Sequence, residues 1–430
     1  MEKRNKTSEL GKEIEKISVG LDIGSWKVCA VVLAQNHKDR TPTILGVGIK
    51  ERRSKPRYGK IDNIDYTVKD IEEAIQTAVL QSNVAFSKVN VGIINQNVKF
   101  TDSRGIVSIG SVQRVITEED VHRVLSEAKP SDLPLDYKII HVLPQEYIIN
   151  NIFGKIINPI GMSGSKLEVL AKVVSVPSLD IENISLCLKR NNLELGEIVL
   201  EPIATGLAVL DEQELDSGVA LVDVGELSTE VAIFIDGVLR YFSSVPLGGR
   251  HITDDMRTLM KVVYAQAEEV KRNYGHCYLP MLREDKQIIV PGIKGRKPMT
   301  FKRNQICRYI QPRMEEIFSL ALESLRNSGL VNKLELGVVL TGGSMLIEGV
   351  EDLASQVFGM PVRIGTPSDL NYQGLSQEVN KPYFSTAVGL AIYGLKNSGY
   401  KEKVEFFEKE AHDLKKGKFW EMFINFFKKL

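Results

Sequence analysis

Two short turns hold the residue types best suited to chemistry, Asp22-Ile23-Gly24-Ser25 and Asp223-Val224-Gly225-Glu226-Leu227-Ser228. Each closes an apolar run, "ISVGLDIGS" and "VALVDVGELS", and each leads directly into a second apolar run. A glycine at such a turn lets the main chain approach a ligand closely, and successive N–H groups with a hydroxyl can ring a phosphate. The aspartate can hold a hydrated Mg²⁺ beside that phosphate. One Asp-x-Gly hairpin is an ordinary turn. Two of them, 201 positions apart (22 to 223) and each opening a three-strand unit, are expected to face one another and clamp a nucleotide from both sides.

Other candidates lie on the same path. "VVLTGGSMLIEG" places Gly342 and Gly343 between a buried strand and a helix start, where missing side chains would admit a flat adenine or a ribose; the pair also serves as a plain strand-to-helix turn. Glu201, in "LEPIATGLAVL", sits where a strand meets a helix and can orient an attacking water as a base or simply cap that helix. Glu268 and Lys271 share a helix face in "YAQAEEVKRNYG", able to bracket a ribose or to form a surface pair worth a few tenths of a kcal/mol.

The elements positioning these residues follow a repeated plan. "KISVGLDIGSWKVCAVVL" and "TPTILGVGI" read as three strands and "TVKDIEEAIQTAVLQS" as a helix. Residues 89–174 interrupt this unit with a small α/β pattern of their own, including the capped helix "ITEEDVHRVLSEA". The strand–turn–strand–turn–strand plan returns from residue 218. One long helix is expected from Thr253 to about Tyr274 and another from about Arg303 to Asn327.

Composition narrows the function classes. Lys plus Arg and Asp plus Glu number 55 each, so no basic excess points to a nucleic-acid partner. The 430 residues imply several domains. Four widely spaced cysteines without a C-x-x-C pair argue against a disulfide framework or zinc site. No signal-peptide pattern opens the chain and no apolar window approaches a membrane span, so a cytosolic protein is expected.

The C-terminal stretch contrasts with this soluble character. On a helix, Phe419, Trp420, Met422, Phe423, Ile424, Phe426, Phe427 and Leu430 cover one arc of about 200°, with lysines at 415, 416, 418, 428 and 429 around it. Twelve residues make about 18 Å of helix, too short to span a bilayer and suited to lying in its headgroup plane. Its apolar burial, on the order of 10 kcal/mol, is offset by an ordering cost of similar size. A single tail would bind weakly and many on one polymer firmly. Docking on the protein itself or on a partner is the plainer alternative.

In ordered sequence, "GLDIGSWKV", "EPIATG", "LVDVGELSTEVAIF", "PLGGRHIT", "AEEVKRNYG", "TGGSMLIEGVEDLA" and "STAVGLAIYG" resemble the motifs of the actin-like ATPase superfamily, and within it those of the FtsA family of bacterial division proteins. The resemblance spans roughly residues 17 to 396. It implies an α/β, two-lobed, duplicated ribonuclease-H-like fold with an inserted small subdomain and a C-terminal amphipathic helix. The implied parts are subdomain 1A (14–88 and 175–210), the insert 1C (89–174), 2A (211–245 and 332–396), 2B (246–331), a linker (397–418) and a membrane-binding helix (419–430). It implies ATP and Mg²⁺ as ligands, held by Asp22, Gly24, Ser25, Lys27, Asp223, Gly225, Ser228, Gly248, Gly249, Glu268, Lys271, Gly342, Gly343 and Ser344, with Glu201 and Asp223 as catalytic candidates. The implied partners are further copies in a filament, the C-terminal peptide of the tubulin-like FtsZ contacting Arg303 and Arg313, other division proteins at the insert, and anionic inner-leaflet lipids.

One departure bears on activity. The second phosphate motif of the family normally reads Asp-x-Gly-Gly-Gly-Thr, whereas here Glu226 and Leu227 follow Gly225. A carboxylate and a bulky side chain at this turn predict weak nucleotide binding and at most slow hydrolysis. A PilM-like scaffold of a pilus apparatus shares the implied fold but as a rule lacks such a tail. A small-molecule kinase would need an acceptor pocket and an unobstructed second turn, neither of which is evident.

Overall fold

A computed structural model describes residues 14–36, 41–54, 61–367, 373–397 and 405–406. The expected helix at 419–430 and most of the expected linker lie outside the described residues.

Two sheets repeat one topology. In the first lobe the order is Glu194–Leu200, Lys88–Ile93, Ile14–Ile23, Lys27–Asn36 and Thr43–Glu51, with the short Gln373–Gly374 added at the edge. In the second it is Val362–Ile364, Val338–Thr341, Val219–Val224, Thr229–Ile235 and Val238–Val245. Each has three parallel strands followed by two antiparallel ones. The registers match as well: Asp22 stands opposite Cys29, and Asp223 opposite Glu230. These strands are buried on both faces, hence their nearly unbroken apolar runs.

Helices Glu201–Val209 and Ser385–Asn397 join the lobes and pack on one another. The approach is close enough to require glycine. A Cβ on Gly389 would fall 1.7 Å from Ala204 O, and one on Gly20 would fall 2.2 Å from Ala387 O.

The insert forms a separate sheet of Lys99–Ser108, Lys166–Pro177, Tyr137–Ile149 and Ile152–Ile156. Helix Glu118–Glu127 covers one face, its start fixed by a Thr117/Asp120 capping box. Strand Lys88–Ile93, which the sequence reading placed mostly in the insert, is hydrogen-bonded into the first lobe's sheet instead. Its apolar alternation is the same in either setting, and only the pairing decides. By chain connection the insert belongs to the first lobe, yet it also rests on the edge of the second. Arg240 Nη1 donates to Gln145 O (2.9 Å), Gln145 Nε2 donates to Leu239 O (3.2 Å), and Phe100 meets Phe242 edge-on.

The long helix expected from Thr253 is two, Gly249–Met260 and Tyr264–Tyr274. Lys261, in the left-handed region at φ 56°, breaks them apart. Helix Arg303–Asn327 matches its expected range and carries Pro312 inside it. Glu405–Phe406 pairs antiparallel with Val84–Ala85, so part of the expected linker meets the first lobe. Among the described residues no helix is long and apolar enough to cross a membrane, and the four cysteines are buried and free.

Candidate nucleotide cleft

The two Asp-x-Gly hairpins open onto one cleft of about 370 Å³ between the lobes. Asp22, Gly24, Ser25, Lys27, Glu201, Asp223, Gly225, Ser228, Gly249, Glu268, Lys271, Gly342, Gly343 and Ser344 all line it. Gly248 does not. It backs the second turn, where a Cβ would fall 2.7 Å from Gly225 O.

The first hairpin presents a neutralised acid. Lys27 Nζ lies 2.5 Å from Asp22 Oδ2, and both side chains are buried. Burial is the largest influence and opposes the Lys27 charge, but Asp22, with Cys29 and Asp223 adding to it, outweighs burial and holds the ammonium pKa up at about 12. The turn is braced from behind by Arg52, whose Nη1 donates to Gly24 O (3.2 Å) and whose main-chain N–H donates to Trp26 O (2.8 Å).

The second hairpin presents acids alone. Its turn is closed by Gly225 N–H donating to Ser228 O at 3.0 Å. Gly225 O and Glu226 O then accept the main-chain N–H groups of Gly249 (2.9 Å) and Arg250 (2.8 Å), which ties the turn to the start of helix Gly249–Met260. Ser344 Oγ also donates to Gly225 O (3.2 Å). Gly342 is needed beneath the turn. It sits at φ 94°, and a Cβ there would fall 2.4 Å from Asp223 Oδ1. On the remaining wall, Lys271 Nζ pairs with Glu268 Oε2 (2.7 Å) and donates to Gly249 O (3.0 Å) and Thr253 Oγ1 (2.7 Å).

Asp22, Glu201, Asp223 and Glu230 crowd the floor, with Lys27 the cation among them. Removal from water, then the neighbouring Asp22, pushes Asp223 up to about 7. Removal from water and the neighbouring Asp223 push Glu230 up to about 8. The same causes, burial first and then Asp22, raise Glu201 well above the usual carboxylate range. The open surface of Asp223 and Glu201 faces the cleft. Such a floor suits a cation that would let these acids ionise. Among the described residues no three His, Cys, Asp or Glu side chains are placed to share one metal directly. The acidic side chains at the floor are of a type that fits a hydrated divalent cation.

The sequence reading missed Glu230, Arg52, Trp26, Tyr264 and Tyr383, all of which line the cleft. Glu230 was the recoverable one. It follows Asp223 by the seven positions that separate Cys29 from Asp22, so aligning the two hairpins would have found it. The partner candidates lie elsewhere, on the surface near helix Arg303–Asn327. Arg303 is engaged by Glu348 (2.6 Å), and Arg313 by Asp255 (2.7 Å) and Glu316 (2.5 Å). The neighbouring Lys302 and Arg308 are exposed.

Paired sheets of one topology, joined by crossing helices over a phosphate-suited cleft, define an actin-like protein. Solved structures agree on the fold. A PilM–PilN type IV pilus biogenesis complex matches with a TM-score of 0.62 at 18% identity, covering 88% of this chain and 98% of that one. MreB5 of Spiroplasma citri bound to ADP matches with a TM-score of 0.53 at 16% identity, covering 89% and 99%. Sequence relatives narrow the class. The family model for "Cell division protein FtsA" matches residues 220–389, and that for "SHS2 domain inserted in FTSA" matches residues 95–175. Cell division protein FtsA of Pseudomonas aeruginosa is 35% identical over 380 residues, 88% of this chain and 89% of its own length. The FtsA of Escherichia coli K12 is 32% identical over 88% and 90% of the two chains, and that of Bacillus subtilis 32% over 89% and 84%. The chain belongs to the FtsA family of cell division proteins.

Proposed function

We propose that this protein is a nucleotide-responsive, filament-forming adaptor that holds FtsZ polymers on the cytoplasmic face of the membrane at the division site. The observation carrying this reading is the convergence of both hairpins, Gly342–Gly343 and the Glu268–Lys271 pair on one cleft. ATP with Mg²⁺ is the ligand that best matches a buried lysine beside one turn and unneutralised carboxylates beside the other. Bound Mg²⁺ would supply charge neutralisation at the floor. Gly24, Ser25 and Lys27 would bind phosphate, Glu268 and Lys271 would orient the sugar, and Gly342, Gly343 and Ser344 would leave room for the base. Glu201 would orient a water as base, and Glu226 and Leu227 at the second turn are consistent with at most slow ATP turnover.

The segment 419–430, with its apolar arc and flanking lysines, would attach the polymer to anionic lipid. Near the FtsZ-type peptide, the exposed Lys302 and Arg308, which meet no acid among the described residues, would act directly, whereas Arg303 and Arg313 would have to exchange their partners. The insert would receive other division proteins. Co-sedimentation with anionic vesicles tests the whole reading. Full-length protein should pellet with MgATP, and a chain ending at residue 415 should stay in the supernatant. Equal pelleting of the two, or pelleting indifferent to MgATP, would refute it.

A further inference from the structure

The lobes meet in two ways around the cleft. At the floor, helices Glu201–Val209 and Ser385–Asn397 cross in a buried interface. At the rim, side chains gather around Trp26, the residue that follows the first turn. Its Nε1–H donates to Glu51 Oε1 (3.2 Å). Both ride on one rigid edge, because Lys27 pairs with Glu51 in the strand ladder and Arg52 N–H donates to Trp26 O (2.8 Å). From the second lobe, the Arg272 guanidinium lies 4.8 Å from the Trp26 ring centre, and its Nη2 lies 3.9 Å from Glu51 Oε1. Tyr383, also of the second lobe, meets the Trp26 ring edge-on at 5.5 Å. All four side chains line the cleft.

Each second-lobe partner is tied to the wall behind it. Arg272 Nε donates to Glu268 Oε1 (2.7 Å), and Glu268 holds Lys271 (2.7 Å). Tyr383 backs on the Gly342–Gly343 turn. A Cβ on Gly343 would fall 3.8 Å from Tyr383 Cβ, and Gly342 N–H donates to Pro382 O (3.4 Å). Parting the lobes at the rim therefore has to separate Trp26 from both walls. The contacts are of a kind that part easily. The side chains of Glu51 and Arg272 are 67% and 42% exposed, so water and salt screen their ion pair. A guanidinium over an indole face adds a modest attraction at such a site. Together they bias a mouth between shut and open without welding it.

Resting on the nucleotide reading above, we propose that Trp26, Glu51, Arg272 and Tyr383 form a latch across the mouth of the cleft, one that must part for a nucleotide to enter or leave. The latch acts on the barrier to exchange. It slows entry and exit together and leaves the affinity nearly untouched. A side chain that gripped the ligand itself would instead change affinity, mainly through the exit rate.

The test follows association and dissociation of N-methylanthraniloyl-ADP with Mg²⁺ by stopped flow on the full chain. Trp26→Leu and Arg272→Gln should each raise both rates about 10-fold and keep Kd within 3-fold of the parent. The two substitutions combined should add less than 3-fold to either alone, because they release one latch. A second variant reverses the sign. Glu51→Cys with Arg272→Cys, joined by a short bis-maleimide while the four native cysteines stay buried, should exchange nucleotide at least 10-fold more slowly than the same protein before joining. Rates unchanged in the single variants, effects that multiply in the double, a weaker Kd with unchanged association, or a joined protein that exchanges as fast as the unjoined one would overturn the latch and leave the nucleotide cleft intact. If the parent binds neither this nucleotide nor MgATP, the nucleotide reading itself fails, and the latch with it.

Discussion

The two hairpins share topology, direction and register, and differ in charge. In the first lobe the position across from Asp22 is the neutral Cys29, and Lys27 sits against the acid. In the second the position across from Asp223 is Glu230, with no lysine in the corresponding turn. One duplicated scaffold has thus been given one side suited to an anion and another suited to a cation. The magnesium–phosphate ligand proposed above would carry both, and the asymmetry would match it better than a symmetric clamp. Backbone geometry made the two sites equivalent, and a few side chains made them complementary.

Erasing the cation should have the largest effect. Lys27→Met leaves Asp22 buried without its partner and should cost about 3 kcal/mol in urea unfolding, along with loss of MgATP binding. Stability within a few tenths of the parent would mean that the buried pair contributes no net stability and that the lobes are less different than described.

The second hairpin predicts a pH dependence of definite sign. Asp223 and Glu230 have folded pKa values raised to about 7 and about 8, against roughly 4 in the unfolded chain. Between these limits the folded state holds more protons than the unfolded one, so stability should fall as pH rises from about 5 to 8. Glu230→Gln should flatten this decline by up to about 1.4 kcal/mol per pH unit across its part of the window, read from unfolding curves taken at each pH. An unchanged slope would show that Glu230 is ionised in the folded protein.

The smallest effect lies outside both hairpins and sets the background. Asp120 accepts from Arg114, Arg123 and the Thr117 main chain, hydrogen bonds that hold its pKa well below the usual range, chiefly through Arg114. Asp120→Asn should cost about 1 kcal/mol through the weakened helix cap. Hydrogen exchange should quicken over residues 118–127 while nucleotide affinity and the Glu230 slope stay as they were. A change in either would show that the insert and the cleft share one cooperative unit.

Much of this was legible in the chain because strand repetition and Asp-x-Gly turns are local signals. The spans Asp22–Ser25 and Asp223–Ser228 needed no knowledge of tertiary contacts. What could not be read depends on which element lies opposite. Glu51 ends a strand, and nothing nearby in sequence says that it looks across at Arg272. The break at Lys261 was hidden because the flanking "MRTLMKVVYAQAEE" keeps a helical apolar spacing with no glycine or proline to interrupt it. The assignment of Lys88–Ile93 failed for the opposite reason: a buried strand carries no label for its sheet.

The insert's two footholds have a mechanical consequence. On one side His141 Nε2 accepts the Leu200 N–H (3.1 Å), one residue before Glu201. On the other, Gln145 grips Arg240 and Leu239 of the far lobe. A rigid arm pinned at both ends of a hinge cannot stay still when the hinge turns. Any swing of one lobe against the other is therefore passed to the free end of the arm as a larger displacement, making the surface most remote from the cleft an indicator of how far it has closed.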